Sequence, residues 1–354
     1  MYEQFSAVRF RKFESIDIDG LQRVNLITGP NSSGKTSLLE ALFVFCGANP
    51  LLAVNINQLR GMEGVFFGPQ SPQPAVVMRS LFHDMDSGHE VRLSGREADG
   101  KSVSVAIDVP ETSSLALKPE DVATTGAAAE TALAVYTFRM TTTVGDEQPS
   151  VSTLTISPQG FMGQPGLVRQ NATFLQPRTE TVAQDLAARF GKLVVAKKEQ
   201  RLVDALQIIE PELTGIATVM QGPQAALYAN IGRDELVPLW LLGGGNNHLA
   251  HIVSAILEFR GSVVLIDEIE NGVYYDVLPA MWRVIDQAAR EADCQVFATT
   301  HSRECVVAAH DAFSERMDYG LSVHRLEPEG GQVRVITYGQ EALAASIEAN
   351  FEVR

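Results

Sequence analysis

The chain has 354 residues, of which 45% are hydrophobic and 20% charged, and its mean hydropathy is close to zero. This is the balance of a globular protein with one large domain or two smaller ones, and no run of about eighteen apolar residues predicts a membrane span. The formal charge of −15 argues against a protein that coats nucleic acid, although a local basic strip would still permit such contacts.

The N-terminus and the cysteines indicate the cellular compartment. The first residues, MYEQFSAVRFRKF, lack the apolar core and small-residue cleavage site of a secretory signal, so we expect a cytoplasmic protein. Cys46, Cys294 and Cys305 show no CxxC spacing, and they are interpreted as reduced structural thiols.

The first 63 residues predict strands, a glycine-rich loop and a helix. Residues 5–18 alternate as a strand or hairpin does, and residues 24–28, VNLIT, form a short apolar strand. GPNSSGKT follows at 29–36, and the next residues, SLLEALFVFC, have the apolar spacing of a helix. Strand, glycine loop and helix are the setting that a phosphate-binding loop requires.

Residues 64–163 change to short segments of period two, which predict an antiparallel β insertion. The predicted strands are 76–82, 89–94, 102–109, 133–141 and 151–157. Residues 111–131, rich in Ala, Thr and Ser, are interpreted as a mobile loop.

Residues 164–232 predict a helical lobe, with helix spacing over 179–217, and from residue 233 strands and helices alternate again. The predicted elements are a helix after GGGNN, strand 263–266, helix 276–292, strand 295–299, strands 321–326 and 332–338, and a last helix.

The segment GPNSSGKT fits the pattern GxxxxGK[ST] in full. Gly29 and Gly34 permit a tight backbone that directs N–H groups at phosphate oxygens, at the positive end of the following helix. Lys35 would reach the β- and γ-phosphates, and the Thr36 hydroxyl would bind Mg²⁺. The predicted nucleotide-binding residues are Gly29, Pro30, Asn31, Ser32, Ser33, Gly34, Lys35, Thr36 and Ser37.

The stretch VVLIDEIENG at 263–272 places acidic residues at the end of a buried strand. They could simply face solvent in the next loop. Alternatively, they lie close to a bound cation or phosphate. Mg²⁺ bound by Thr36 needs a carboxylate ligand, and Asp267 would supply it. Glu268 would then polarise the attacking water as general base.

Two further segments complete the predicted site. ATTHS at 298–302 follows an apolar strand and would deliver His301 to the γ-phosphate, although a histidine at a strand end is often only a polar residue. LWLLGGGNNHLAHI at 239–252 opens a helix with three glycines, a second anion-binding site in a chain that already has one. We infer that it serves a phosphate bound by a second subunit.

The ordered set GPNSSGKT, LLGGGNN, VVLIDEIENG and FATTHS resembles the ATPase heads of the ABC superfamily, in the branch of SMC-type chromosome-repair ATPases, RecF and the overcoming-lysogenization-defect (OLD) family. The phrase LIDEIENG and the first forty residues are most similar to the AAA-type OLD ATPases. The resemblance spans nearly the whole chain. It implies one head over 1–354, an α/β P-loop NTPase of ABC/SMC type with an antiparallel β lobe and a helical insertion.

In that family two heads dimerise head to tail around two ATP molecules, and the partner's signature segment completes each site. By resemblance, Glu270 and Asn271 would lie in the interface loop, and His301 would be the switch histidine. The signature residues that would contact the other subunit's nucleotide are Gly243, Gly244, Gly245 and Asn246.

The chain also departs from the family pattern. The signature lacks the serine of LSGGQ and has Asn246, Asn247 and His248 after the glycines, where a basic residue is frequent in the OLD branch. The glutamine of the loop between the lobes has only positional candidates, Gln70 and Gln73.

Two other sets of residues are candidate functional sites. His248 and His251 are interpreted as interface or packing residues, since no further ligand lies near them in sequence. FHDMDSGHE at 82–90 could suggest a metal site but is interpreted as a solvated turn, and its candidate ligands are His83, Asp84, Asp86, His89 and Glu90.

These observations predict an ATP-binding and ATP-hydrolysing switch that uses ATP and Mg²⁺ and forms a homodimer or larger homo-oligomer. OLD nucleases carry a Toprim domain after the ATPase, and the short segment after His301 leaves no room for one, so we expect a separately encoded nuclease or toxin as effector. Bacterial anti-phage defence or toxin regulation follows by analogy alone.

Two alternative functions stay open. One is a RecF-like DNA-binding recombination mediator. The other is an ATP-bound scaffold with slow turnover that restrains a partner.

Overall fold

The computed structural model describes residues 1–59, 79–110, 136–157, 160–164, 166, 168–176 and 182–353. The predicted loop at 111–131 and the candidates Gln70 and Gln73 lie outside these residues. The described chain divides into two compact units. Unit 1 comprises Met1–Glu3, Ile18–Leu39 and Gln170–Arg354, and unit 2 comprises Gln4–Asp17 and Glu40–Arg169.

Unit 1 contains a six-stranded sheet in the order β16-β15-β3-β14-β13-β9. Five neighbouring strands are parallel, and β16 pairs antiparallel with β15 at one edge. Every residue of β3, β13 and β14 is buried, which explains why apolar residues predominate in these strands. The strands are β3 (Val24–Thr28), β9 (Ala172–Leu175), β13 (Val263–Ile266), β14 (Gln295–Thr299), β15 (Leu321–Glu329) and β16 (Gln332–Tyr338).

Helices and a small second sheet complete unit 1. Their apolar faces share one core with β3, β13, β14 and β15, and Trp282 and Phe313 are among the largest side chains that it buries. The helices are α3 (Val182–Val195), α4 (Glu199–Gln207), α5 (Gly244–Glu258), α6 (Leu278–Glu291), α7 (Arg303–Ser314) and α8 (Gln340–Glu348). The second sheet contains β10 (Gly215–Gln221), β11 (Gln224–Asn230) and β12 (Val237–Pro238).

Unit 2 is built on a seven-stranded sheet in the order β2-β1-β4-β5-β6-β7-β8. The strands from β4 to β8 are antiparallel neighbours, so the predicted antiparallel sheet is confirmed. The sheet comprises β1 (Tyr2–Phe10), β2 (Phe13–Asp19), β4 (Val91–Glu97), β5 (Ser102–Asp108), β6 (Tyr136–Val144), β7 (Ser150–Ser157) and β8 (Gly160–Gln164). Two helices follow the glycine-rich loop, α1 (Lys35–Gly47), which begins in unit 1, and α2 (Pro50–Leu59).

Two predicted elements need correction. Within 76–82 the described residues form no strand; Phe82 makes a single antiparallel bridge to Phe10 and leads into a short 3-10 helix. The predicted helical segment ends with α4. The sequence after Pro211 instead forms the hairpin of β10 and β11. The turn of this hairpin contains Gly222, whose φ of 62° suits glycine. The region predicted as a helical lobe therefore contains strands β9, β10 and β11 as well as two helices.

In the part of the chain that the structure describes, no helix is long and apolar enough to cross a membrane. No three or more His, Cys, Asp and Glu side chains in that part of the chain are arranged to hold a metal ion. The predicted turn at 82–90 instead has Asp86 accepting hydrogen bonds from Arg9 and from the backbone N–H of Gly88.

Candidate functional site

The loop from Gly29 to Thr36 joins the end of β3 to the start of α1. Gly29 has a φ of 138° and Gly34 a φ of 106°, which are conformations that side chains rarely adopt. A Cβ added at Gly29 would lie 2.5 Å from the carbonyl oxygen of Leu326. The backbone therefore requires glycine at position 29, as the phosphate-loop pattern predicts.

Lys35 is folded back onto this loop. Its side chain is 6% exposed, and Nζ donates hydrogen bonds to the carbonyl oxygens of Gly29 at 2.7 Å and Pro30 at 3.1 Å. Burial lowers the pKa of Lys35 to about 8, and the charges of Asp267 and Glu270 partly offset that effect. An ammonium group held by neutral carbonyls and close to carboxylates is well placed to exchange those carbonyls for phosphate oxygens.

Asp267 connects three parts of unit 1. It follows the last residue of β13, and its Oδ2 accepts a hydrogen bond of 2.9 Å from Thr36 Oγ1 at the start of α1. Its Oδ1 accepts a hydrogen bond of 2.6 Å from Thr299 Oγ1 at the end of β14. The structure thus brings the two predicted Mg²⁺ ligands into direct contact, although 231 positions separate them in sequence.

The donor set at this point fits Mg²⁺. A hydroxyl and a carboxylate are the hard oxygen ligands that this ion prefers, and Mg²⁺ is typically bound through one or two carboxylates together with substrate phosphates and water. Thr36 and Asp267 are therefore the residues that would hold it.

Glu268 is exposed and has an unusual backbone. Its φ is 53°, in the left-handed region that a glutamate rarely occupies, and its N–H donates a hydrogen bond of 2.8 Å to Thr299 Oγ1. Such strain in a non-glycine residue is concentrated at functional sites. Thr299 thus contacts both acidic residues that follow β13, a role that the sequence did not assign to it.

His301 lies in the loop after β14, with an exposed side chain. Its backbone N–H donates a hydrogen bond of 2.8 Å to Glu270 Oε1. The next residue, Ser302, caps α7 by accepting a hydrogen bond from the N–H of Cys305. Because β14 lies between β3 and β13, His301 is at the same sheet edge as Gly29 and Asp267.

The three glycines of the predicted signature lie at the start of α5. Gly243 has a φ of 109°, and a Cβ added at Gly244 would lie 3.4 Å from the carbonyl oxygen of Gly272. The loop after β13 therefore packs against the beginning of α5. His248 adds a second link, because its Nε2 lies 3.0 Å from the carbonyl oxygen of Ile269 and burial lowers its pKa.

Asn246 is placed differently from the other signature residues. Its side chain is 4% exposed, and Nδ2 donates a hydrogen bond of 2.9 Å to the carbonyl oxygen of Leu242. This side chain faces the inside of unit 1, since it caps the turn before α5. The contact of Asn246 with another subunit's nucleotide stays a prediction.

Comparison with known proteins then decides the family. The profile described as "AAA domain, putative AbiEii toxin, Type IV TA system" matches residues 24–306, which include all the predicted site residues. The chain belongs to this family. It is an ATPase-type AAA domain, and the family supports nucleotide hydrolysis.

Two curated relatives are similar in sequence. A protein of Helicobacter pylori (strain ATCC 700392 / 26695) named ATP/GTP phosphatase is 21% identical over 336 residues, which cover 89% of each chain. The DNA replication and repair protein RecF of Stutzerimonas stutzeri (strain A1501) is 31% identical over 117 residues, which cover 32% of this chain and 30% of that protein.

The fold is similar to that of an SMC head. A solved structure of the SMC head bound to the C-winged helix domain of ScpA matches with a TM-score of 0.51 and 10% identity, covering 97% of this chain and 99% of that chain. The predicted fold class, a P-loop NTPase of ABC/SMC head type, is confirmed.

Proposed function

We propose that this protein is an ATP-binding and ATP-hydrolysing switch that works as an oligomer and controls a separate effector protein. The observation that carries the proposal is Asp267, bonded by Thr36 of the phosphate loop and Thr299 of the neighbouring strand, beside the buried Lys35. These residues come from three distant segments and meet at the carboxyl ends of parallel strands, where open α/β sheets bind ligands.

The chemistry follows from the positions of the side chains. Lys35 exchanges its contacts with the loop carbonyls for the β- and γ-phosphates of ATP, while the N–H groups of the loop bind the remaining oxygens. Thr36 and Asp267 would hold Mg²⁺, which would neutralise charge on the phosphates. Glu268 orients the attacking water as general base, and His301 lies at the γ-phosphate as the switch histidine.

The surface around the three glycines supports assembly with a second copy. Large apolar side chains are exposed just before these glycines and in the loop after Gly272, whose carbonyl oxygen lies close to Gly244. Leu241 is 67% exposed, Tyr274 63% and Tyr275 58%. Aromatic side chains such as these two tyrosines are enriched at protein interfaces. In the proposed head-to-tail dimer this face, with Gly243–Gly245 at its centre, covers the partner's nucleotide.

The proposed effector is a separately encoded nuclease or toxin, and the role is anti-phage defence or toxin regulation of the OLD type. The family description names a toxin–antitoxin system, and the SMC head in the similar solved structure is bound to a domain of another protein. Both support a partner protein for this chain.

The test is phosphate release from ATP by the purified protein with Mg²⁺, compared between wild type, Lys35→Ala, Glu268→Gln and the surface control Glu291→Ala. We expect both site variants to lose at least about 100-fold in kcat, since each removes a group acting on the transferred phosphoryl group. The control should keep wild-type turnover. Absence of ATP binding and hydrolysis in the wild type would refute the proposal.

A RecF-like DNA-binding mediator is the second candidate, favoured by the 31% identity to RecF over 117 residues. It predicts salt-sensitive, ATP-dependent binding to gapped DNA. A third outcome, tight ATP binding with negligible turnover even in the presence of the partner, would favour a scaffold that restrains that partner.

A further inference from the structure

The loop from Asp267 to Val273 is fixed at its centre by Ile269. This side chain is fully buried, and its N–H donates a hydrogen bond of 3.0 Å to the carbonyl oxygen of Thr299. A second backbone bond, from the N–H of Val273 to the carbonyl oxygen of Glu270, closes the turn. The backbone on both sides of Glu270 is therefore held in place.

The carboxylate of Glu270 contacts the loop that carries His301. Oε1 accepts the N–H of His301 at 2.8 Å. Oε2 is buried, and within the described residues it has no hydrogen-bond partner. A buried carboxylate oxygen without a partner costs free energy, so stability alone does not account for a glutamate at this position.

The charge of Glu270 also acts on the groups around it. It partly offsets the lowering of the pKa that burial causes at Lys35 and at His248. Glu270 therefore lies among the phosphate-loop lysine, the first turns of α5 and the His301 loop, all within unit 1.

We infer that Glu270 is a positioning residue for nucleotide hydrolysis, which holds the His301 loop at the γ-phosphate through the backbone N–H of His301. The inference rests on the proposed ATPase function and deepens it. It also gives Glu270 a role within its own chain, besides the interface role that the family resemblance implies. Because hydrolysis needs its groups placed within a fraction of an ångström, releasing this loop should slow the chemical step more than it weakens ATP binding.

Steady-state hydrolysis of ATP by Glu270→Ala, Glu270→Gln, His301→Ala and the double variant Glu270→Ala/His301→Ala tests the inference. We expect Glu270→Ala to lower kcat on the order of tenfold, with KM within about twofold of wild type. Glu270→Gln keeps an oxygen that accepts the His301 N–H, so its kcat should stay within about threefold. In a protein that already carries His301→Ala, Glu270→Ala should not lower kcat further, because both substitutions remove the same action of His301 at the γ-phosphate.

The contact is also tested without nucleotide, by hydrogen exchange of peptides that contain His301. Glu270→Ala should speed exchange of the His301 amide roughly tenfold, and Glu270→Gln should not. Unchanged exchange in Glu270→Ala would overturn the inference, as would an unchanged kcat or multiplicative effects of the two substitutions. An inactive wild type would refute the proposed function and with it the role in hydrolysis, whereas the exchange experiment shows independently whether Glu270 holds the His301 loop.

Discussion

Asp267 and Thr299 are joined by a hydrogen bond of 2.6 Å between the ends of two neighbouring parallel strands. The same threonine oxygen accepts the N–H of Glu268 at 2.8 Å. One hydroxyl therefore orients the proposed Mg²⁺ ligand and fixes the strained backbone of the proposed general base. Thr299 therefore supports the residues that would act on the nucleotide.

Replacing Thr299 with Val should weaken Mg²⁺ activation of ATP hydrolysis. Valine has the same shape but no hydroxyl, so Asp267 loses a donor and the N–H of Glu268 loses its acceptor. Loss of such a supporting hydrogen bond typically costs 10- to 100-fold in metal affinity, and we expect the Mg²⁺ concentration for half-maximal activity to rise by about tenfold or more. Thr299→Ser keeps the hydroxyl and should behave like wild type. Equal Mg²⁺ dependence in all three proteins would contradict this role.

The buried ion pair between Arg11 and Glu40 in unit 2 predicts a large effect on stability. The distance between Arg11 Nε and Glu40 Oε2 is 3.0 Å, and the two side chains are 8% and 0% exposed. Glu40→Ala leaves a buried charge without this partner, so the free energy of unfolding should fall by about 3–5 kcal/mol, measured by urea denaturation. The paired substitution Arg11→Met with Glu40→Leu removes both charges and should recover most of that loss. If Glu40→Ala unfolds at the wild-type urea concentration, the pair does not stabilise unit 2.

His324 should make the protein sensitive to mild acid. Its side chain is fully buried in β15, and burial lowers its pKa from 6.5 to about 4. As the pH falls below 6.5, the unfolded chain takes up this proton before the folded one does. The free energy of unfolding should therefore fall by about 1.4 kcal/mol per pH unit from this group, or about 3 kcal/mol in total down to pH 4.

The comparison is between wild type and His324→Gln, which keeps polar contacts toward Thr337 and Asn25 but does not titrate. Denaturation midpoints at several pH values between 4 and 7 should show a shallower acid dependence in the variant. Parallel curves for the two proteins would show that other groups cause the acid sensitivity.

A charge placed beside the signature glycines should block the proposed dimer. Leu241 is 67% exposed next to Gly243, so Leu241→Asp would put a carboxylate into the apolar face that meets the second copy. In a Glu268→Gln background, which should trap bound ATP, light scattering with ATP and Mg²⁺ should give a dimer mass that Leu241→Asp reduces to that of a monomer.

Met317 provides the matched control. Its side chain is also fully exposed. It lies shortly before β15, and therefore at the end of the sheet opposite the carboxyl ends of the parallel strands. Met317→Asp should leave the ATP-dependent dimer intact. A dimer that survives Leu241→Asp, or a mass that ignores nucleotide, would refute a nucleotide-driven interface at this face.

The parts of the protein that its sequence predicts are those set by short-range interactions. The phosphate loop is recognisable because Gly29 and Gly34 must adopt backbone angles that other residues avoid, and the pattern needs only eight consecutive positions. The strands Val24–Thr28, Val263–Ile266 and Gln295–Thr299 are recognisable because burial on both faces favours short segments in which apolar residues predominate. The same local reasoning failed at Gly215–Gln221, where a short apolar segment fits a helix or a strand and pairing with β11 decided the outcome.

The tertiary structure alone decided which side chains meet. The order of β3, β14 and β13 in the sheet places Thr36, Thr299 and Asp267 together, and no local pattern specifies strand order. The same holds for Glu270, which resembles an interface residue in sequence but is bonded to the N–H of His301 in the fold. These contacts depend on hydrogen-bond partners 31 to 231 positions apart, which are chosen by the packing of the whole unit.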